Sequence, residues 1–95
     1  MRKYELMYII RPDVEQEATK NLVEKFQNLI TNNGGEIEKL DEVGKRRIAY
    51  EIEDFHEGYY VLTYFQSEPT LIAELERVLR ITDGVIRYLI VKNEK

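Results

Sequence analysis

The chain contains no cysteine and no tryptophan, and in 95 residues it has two prolines and one histidine. Without cysteine there is no disulfide framework, no thiolate nucleophile and no thiolate metal ligand. That fits a reducing compartment. No apolar run approaches the roughly 18 residues a membrane span needs. The opening Met1-Arg2-Lys3-Tyr4-Glu5 turns charged too early for a secretory signal. The expectation is a soluble, cytoplasmic protein. Positive charge is also short: 14 Lys and Arg face 18 Asp and Glu, for a net charge of -4. This balance argues against nonspecific nucleic-acid binding through a broad positive field. It leaves a specific site open, because a few arginines can cluster on an acidic protein.

What the chain does have is a globular balance, with 43% apolar and 34% charged residues. Its length suits one domain over 1–95 with one core. Tyr4 to Ile10 is a β-prone run closed by Arg11-Pro12-Asp13. From Val14 the period changes. Val14, Ala18, Leu22, Val23, Phe26, Leu29 and Ile30 form one helical stripe, ended by Asn32-Asn33-Gly34-Gly35. Glu36 to Val43 reads as a strand, Gly44 as an interruption or bulge, and Lys45 to Ile52 as its continuation. Glu53 to Gly58 reads as a polar turn, and Tyr59 to Gln66 as the strongest strand. Pro69 opens a second helix with Leu71, Ile72, Leu75, Val78 and Leu79 on one face. Thr82-Asp83-Gly84 closes it before a last strand, Val85 to Val91.

The order is β-α-β-β-α-β, and each half is a β-α-β unit with a right-handed crossover. Joining the halves by the middle hairpin, with the third strand beside the first, gives a four-stranded antiparallel sheet. Two helices lie on one face. This is the α+β, ferredoxin-like arrangement, with the first and third strands central. Both central strands are apolar on both faces, so the face without helices should carry an apolar and aromatic patch suited to a partner. The alternative is that the strands are simply β-prone and tyrosine tolerates a half-wet position.

Catalytic chemistry has little to work with. His56 sits between Phe55 and Glu57 without a positioned nucleophile, and reads as a surface residue. The neighbours Asp41-Glu42 and Glu53-Asp54 would point to opposite faces of a strand, which does not suit an acid–base pair. Asn33-Gly34-Gly35 follows a helix C-terminus, whose dipole repels phosphate. Acylphosphatases, on the same fold, cradle phosphate in the loop after the first strand. Here that loop, Ile10 to Val14, lacks glycine and carries Asp13, which opposes an anion. No catalytic residue, metal site or cofactor is expected.

The basic residues are more informative. Lys45-Arg46-Arg47 can be edge-strand gatekeepers, and Arg77 and Arg80 can pair with a helix C-terminus. The first and fourth strands are neighbours in this topology, however. Arg2, Arg80 and Arg87 are therefore expected to converge at one margin with Tyr4, where guanidinium forks and a ring suit RNA phosphate and base stacking.

At these residues the chain resembles the bacterial small-subunit ribosomal protein S6 family. The resemblance rests on Met1 to Glu5, on Gly44-Lys45-Arg46-Arg47-Ile48-Ala49-Tyr50-Glu51-Ile52 with Gly58-Tyr59-Tyr60, and on Leu79 to Tyr88. It covers essentially the whole chain. Glu51 departs from a proline expected in many members, and the chain stops at Lys95 without the longer tail of some. The resemblance implies a non-enzymatic protein that binds the central domain of small-subunit ribosomal RNA. It also implies a heterodimer with small-subunit ribosomal protein eighteen. A basic partner would let an acidic chain bind RNA jointly rather than through its own field. For RNA the expected residues are Arg2, Tyr4, Arg80 and Arg87. For the protein partner they are Arg46, Arg47, Tyr50, Tyr60 and Leu62. Two alternatives come from other classes: an independent sheet-type RNA-binding domain using Tyr60 and Tyr64, and a small acylphosphatase-like or ligand-sensing domain.

Overall fold

The computed structural model of the protein describes residues 1–52 and 55–93, residues 49–52 and 55 by their backbone alone. The elements are β1 (Arg2–Ile10), α1 (Gln16–Asn32), β2 (Glu36–Ile52), β3 (Phe55–Ser67), α2 (Thr70–Ile81) and β4 (Val85–Lys92). The strands form one sheet in the order β2-β3-β1-β4, every pairing antiparallel. This is the expected ferredoxin-like arrangement, with β1 and β3 central.

The helices form because their apolar residues recur on one face. In α1 the buried positions are Thr19, Val23, Phe26 and Ile30, and in α2 they are Leu71, Leu75, Val78 and Leu79. Ala18, expected on the stripe, is exposed. Val23, Phe26 and Ile30 set the phase, and the residue one turn before Val23 is Thr19. The helix ends with Asn33 Nδ2 donating to the Leu29 carbonyl at 2.7 Å, while Gly34 takes φ of +84°. That left-handed turn is where an L side chain would strain.

Alternation along β1 sends Tyr4, Leu6, Tyr8 and Ile10 into the core beneath the helices. Val61 and Phe65 of β3 lie opposite Tyr8 and Tyr4 on the same face. The ring of Tyr8 meets Phe26 edge-on, with centroids 5.0 Å apart, and Tyr4 stacks on Phe65 at 5.6 Å. These contacts fasten α1 and the sheet into one core.

β1 pairs with β3 only from Ser67 to Tyr59, so β2 and β3 run on together past the end of β1. Strand β3 already begins at Phe55, inside the stretch expected to be a turn; residues 53 and 54 of that expected turn lie outside the described residues. The stretch looks like a turn in sequence because His56 and Glu57 are polar and exposed and Gly58 is a common turn residue. Strand β2 carries irregularities at Ile37/Lys39 and Glu42/Gly44, with Gly44 at φ +92°. Gly44 is thus a bulge within one continuous strand.

Gly58 sits where the hairpin leaves the sheet. A Cβ there would meet Ile9 Cγ2 at 2.3 Å and the Ile10 carbonyl oxygen at 3.2 Å. Gly58→Ala is therefore expected to destabilise the fold by about 1–3 kcal/mol, as overpacking does. Gly34→Ala meets no atom within 4 Å and should cost about 1 kcal/mol from backbone strain alone. Urea unfolding midpoints of the two variants check the order.

Candidate functional site

The face opposite the helices is built by the alternate residues of the same strands. Across it Ile9 is flanked by Tyr60 and Arg87, Met7 by Leu62 and Leu89, and Glu5 by Tyr64 and Val91. Strand β2 adds Lys39 beside Tyr64, Asp41 beside Leu62 and Gly44 beside Tyr60. Ile48 of the hairpin lies with Ile9 over Gly58, and both isoleucines are buried. This end of the face is closed by the chain itself. The centre is open: Met7, Tyr60, Leu62 and Tyr64 are partly buried, while Leu89 and Val91 are 52% and 41% exposed. Two exposed aliphatics side by side on an edge strand next to partly covered aromatics form a contiguous patch, as a docking surface does.

The polar rim is uneven. At the Lys3 end, Glu38 accepts from Gln66 Nε2 at 3.0 Å and lies 3.7 Å from Lys3 Nζ. Lys39 Nζ sits over the Tyr64 ring, 5.9 Å from its centroid. At the Ile9 end the charges are Arg87 and, beyond the sheet, Arg46, paired with Gly58.

The expected RNA margin is divided by the structure. Tyr4 is buried, 8% exposed, on the helix-covered face against Phe65, so its ring is not available for base stacking. Arg87 lies opposite Ile9, seven residues along β1 from Arg2, about 23 Å at a rise of about 3.3 Å per residue. Because β4 runs antiparallel to β1, Arg2 meets the far end of β4, near Lys92. Arg2 therefore does not converge with Arg80 and Arg87. Arg80, in the last turn of α2, is exposed and lies toward the Arg87 end, because the loop after α2 is tied to Arg11 at the end of β1. Of the expected partner residues, Tyr60 and Leu62 lie on the open face. Arg46 is exposed on the hairpin with the same facing, and Arg47, opposite Glu57, turns to the other side. The side chain of Tyr50 lies outside the described residues. Sequence reasoning missed that Lys45, Arg46 and Arg47 share their end of the sheet with Arg80 and Arg87.

A cleft of about 930 Å³ lies on the helix side, between the start of α1 and the outer part of β2 and β3. Arg11, Lys20 and Lys45 line it with Glu17, Glu24 and Glu42. The Arg11 guanidinium is held between Asp13 and Asp83, each at 3.2 Å. The arginine that a phosphate-cradling loop would use is thus already neutralised. Among the described residues no group of His, Asp and Glu is arranged to hold a metal.

The structure is therefore a ferredoxin-like module whose uncovered sheet face, rather than a catalytic cluster, is its distinctive surface. The family model for ribosomal protein S6 matches residues 3–92. The chain is 54% identical to small ribosomal subunit protein bS6 of Exiguobacterium sibiricum, over all of both chains. It is 55% identical to the protein of that name from Thermoanaerobacter pseudethanolicus, again over all of both. The crystal structure of 30S ribosomal protein S6 from Thermotoga maritima superposes with a TM-score of 0.93 at 39% identity, covering 97% of this chain and 87% of that one. The chain belongs to the ribosomal protein S6 family, a family of structural proteins and not of enzymes. Membership places it with the bacterial small ribosomal subunit in the cytoplasm.

Burial raises the Tyr8 hydroxyl pKa strongly, and the nearby Glu42 and Tyr59 add to the effect. The Tyr59 hydroxyl, which donates to Glu42 Oε1 at 3.1 Å, is also raised, by burial first and then by that bond. A raised folded-state pKa means that the native state keeps its proton longer. This stability is fully present below the ordinary tyrosine value of about 10 and declines as pH climbs above it. Urea midpoints measured from about pH 8 to about pH 11 should fall above pH 10. Tyr8→Phe is expected to remove most of that fall.

Proposed function

We propose that the chain binds the central domain of small-subunit ribosomal RNA jointly with small-subunit ribosomal protein eighteen, as a heterodimer. The open face takes the protein partner, through Tyr60 and Leu62 at its centre and Arg46 at its rim. Arg80 and Arg87, toward one end of the sheet, meet RNA through guanidinium–phosphate contacts. The observation that carries the reading is the exposed pair Leu89 and Val91 beside Met7, Tyr60, Leu62 and Tyr64. A patch this apolar on a chain of net charge -4 favours a protein over a polyanion, and a basic partner supplies the field the chain lacks.

The alternative of an unaided sheet-type RNA reader is less favoured by the same face. Lys39 already sits over the Tyr64 ring. Glu5 and Asp41 lie among the aromatics and would repel phosphate.

Two measurements test the proposal. Tyr60→Glu and Leu62→Glu should each weaken heterodimer formation in calorimetry by about 30-fold or more, corresponding to about 2 kcal/mol for a buried anchor. Circular dichroism should remain that of the folded chain. Unchanged affinity in both would move the partner site elsewhere. Arg80→Ala with Arg87→Ala should weaken central-domain RNA binding by the intact heterodimer, and flatten its salt dependence. If the doubly substituted heterodimer binds RNA as wild type does, the RNA contact lies elsewhere.

A further inference from the structure

Two carboxylates on the open face are placed unlike the rest. Glu5 lies between Tyr64 and Val91, and Asp41 lies beside Leu62. Both are partly buried. Among the described residues neither accepts a hydrogen bond or an ion pair. The neighbouring cations are engaged elsewhere: Lys3 with Glu38, and Lys39 over the Tyr64 ring.

We infer that Glu5 and Asp41 orient the protein partner on this face, each receiving a lysine or arginine from an otherwise apolar docking segment. This rests on the reading of the open face as the protein interface. Covering the patch strips water from both carboxylates, and a buried carboxylate without a counter-charge is costly. An apolar partner lacking cations would therefore be rejected, and a nucleic acid would add repulsion. The occupant is a basic polypeptide segment.

The register sets the spacing the segment must meet. Glu5 and Asp41 are two strand spacings apart across the sheet and one two-residue step apart along it. The Cα separation is about 12 Å at spacings of about 4.8 Å and 3.4 Å. Two turns of a helix span about 11 Å, so cations seven or eight residues apart on one helical face would reach both. At the other end of the face lies the exposed Arg46. A segment docked in the reverse direction would set its cations against this arginine. The face thus selects a direction by attraction at one end and repulsion at the other.

The test is calorimetric titration of purified small-subunit ribosomal protein eighteen into the full chain at low and high salt. Wild type is compared with Glu5→Gln, Asp41→Asn, the double variant and Tyr60→Glu. Each amide is expected to weaken binding about tenfold at low salt and to make its salt dependence shallower, with the thermal melt of the free chain retained. Glu5→Lys should be rescued by a charge-reversed lysine or arginine of the partner. Unchanged or tighter binding by both amides, while Tyr60→Glu still abolishes it, overturns the orienting role and leaves the face reading standing. If the amides weaken binding and Tyr60→Glu does not, the carboxylates act as inferred and the apolar anchor is misplaced. A wild-type dimer that Glu5→Gln dissociates would make a second copy the occupant and overturn the inference.

Discussion

Everything in this molecule follows from the hand of its two crossovers. A right-handed β-α-β connection places its helix on one side of the sheet. Two such units, related by a hairpin and interleaved as β2-β3-β1-β4, must place both helices on the same side. The core then has a single location, between α1, α2 and the inward residues of β1 and β3, with Tyr8 against Phe26 at its centre. Among the described residues no helix lies on the other side of the sheet. There Ile48, carried back on the hairpin, closes one corner over Gly58 and Ile9.

That asymmetry explains why the central strands break the usual rule of one apolar and one polar face. An antiparallel sheet facing water normally alternates. Here the outward residues of the central strands include Met7, Ile9, Tyr60, Leu62 and Tyr64, and edge strand β4 adds Leu89 and Val91. Such a face gains from being covered but contributes nothing to the core the chain makes for itself. A face of this composition is what a docking surface presents. The edges are treated differently. Strand β2 carries bulges and a charged run through Lys45-Arg46-Arg47, devices that discourage another strand from pairing there.

The fold was legible because its signals are local and periodic. Prolines and glycines punctuate the elements, and the change of period from two to about four residues separates strand from helix. Gly44 was legible as an interruption for the same reason, but a bend and a bulge look alike until the pairing register is known. The site was less legible, because it depends on direction and phase. Neighbouring strands were evident, but antiparallel pairing sends Arg2 toward Lys92 rather than Arg87. Tyr4 begins a run whose even members all face the helices, so alternation with Leu6 and Tyr8 consigns its ring to the core. The start of β3 beyond β1 was hidden because His56, Glu57 and Gly58 read equally well as a turn, although Lys45 to Ile52 across from them already read as strand. Glu5 and Asp41 carried no signal at all in one dimension. They differ from the other acids of the chain only in what lies beside them.

The same distinction between total and placement resolves the charge. A net charge of -4 describes the field at a distance, where an approaching polyanion is repelled. At contact the ends of the open face differ: Glu5 and Asp41 lie toward one end, Arg46 and Arg87 toward the other. Arg80 lies toward the arginine end, through the loop that Asp83 ties to Arg11. A surface polarised in this way gains little from long-range attraction, because its charges largely cancel beyond a Debye length. It gains most when an oppositely polarised surface is seated on it in one direction, after water is gone and the local charges no longer average out. An acidic total is then compatible with a place in a particle made of RNA, provided that the first thing the chain meets is a basic protein.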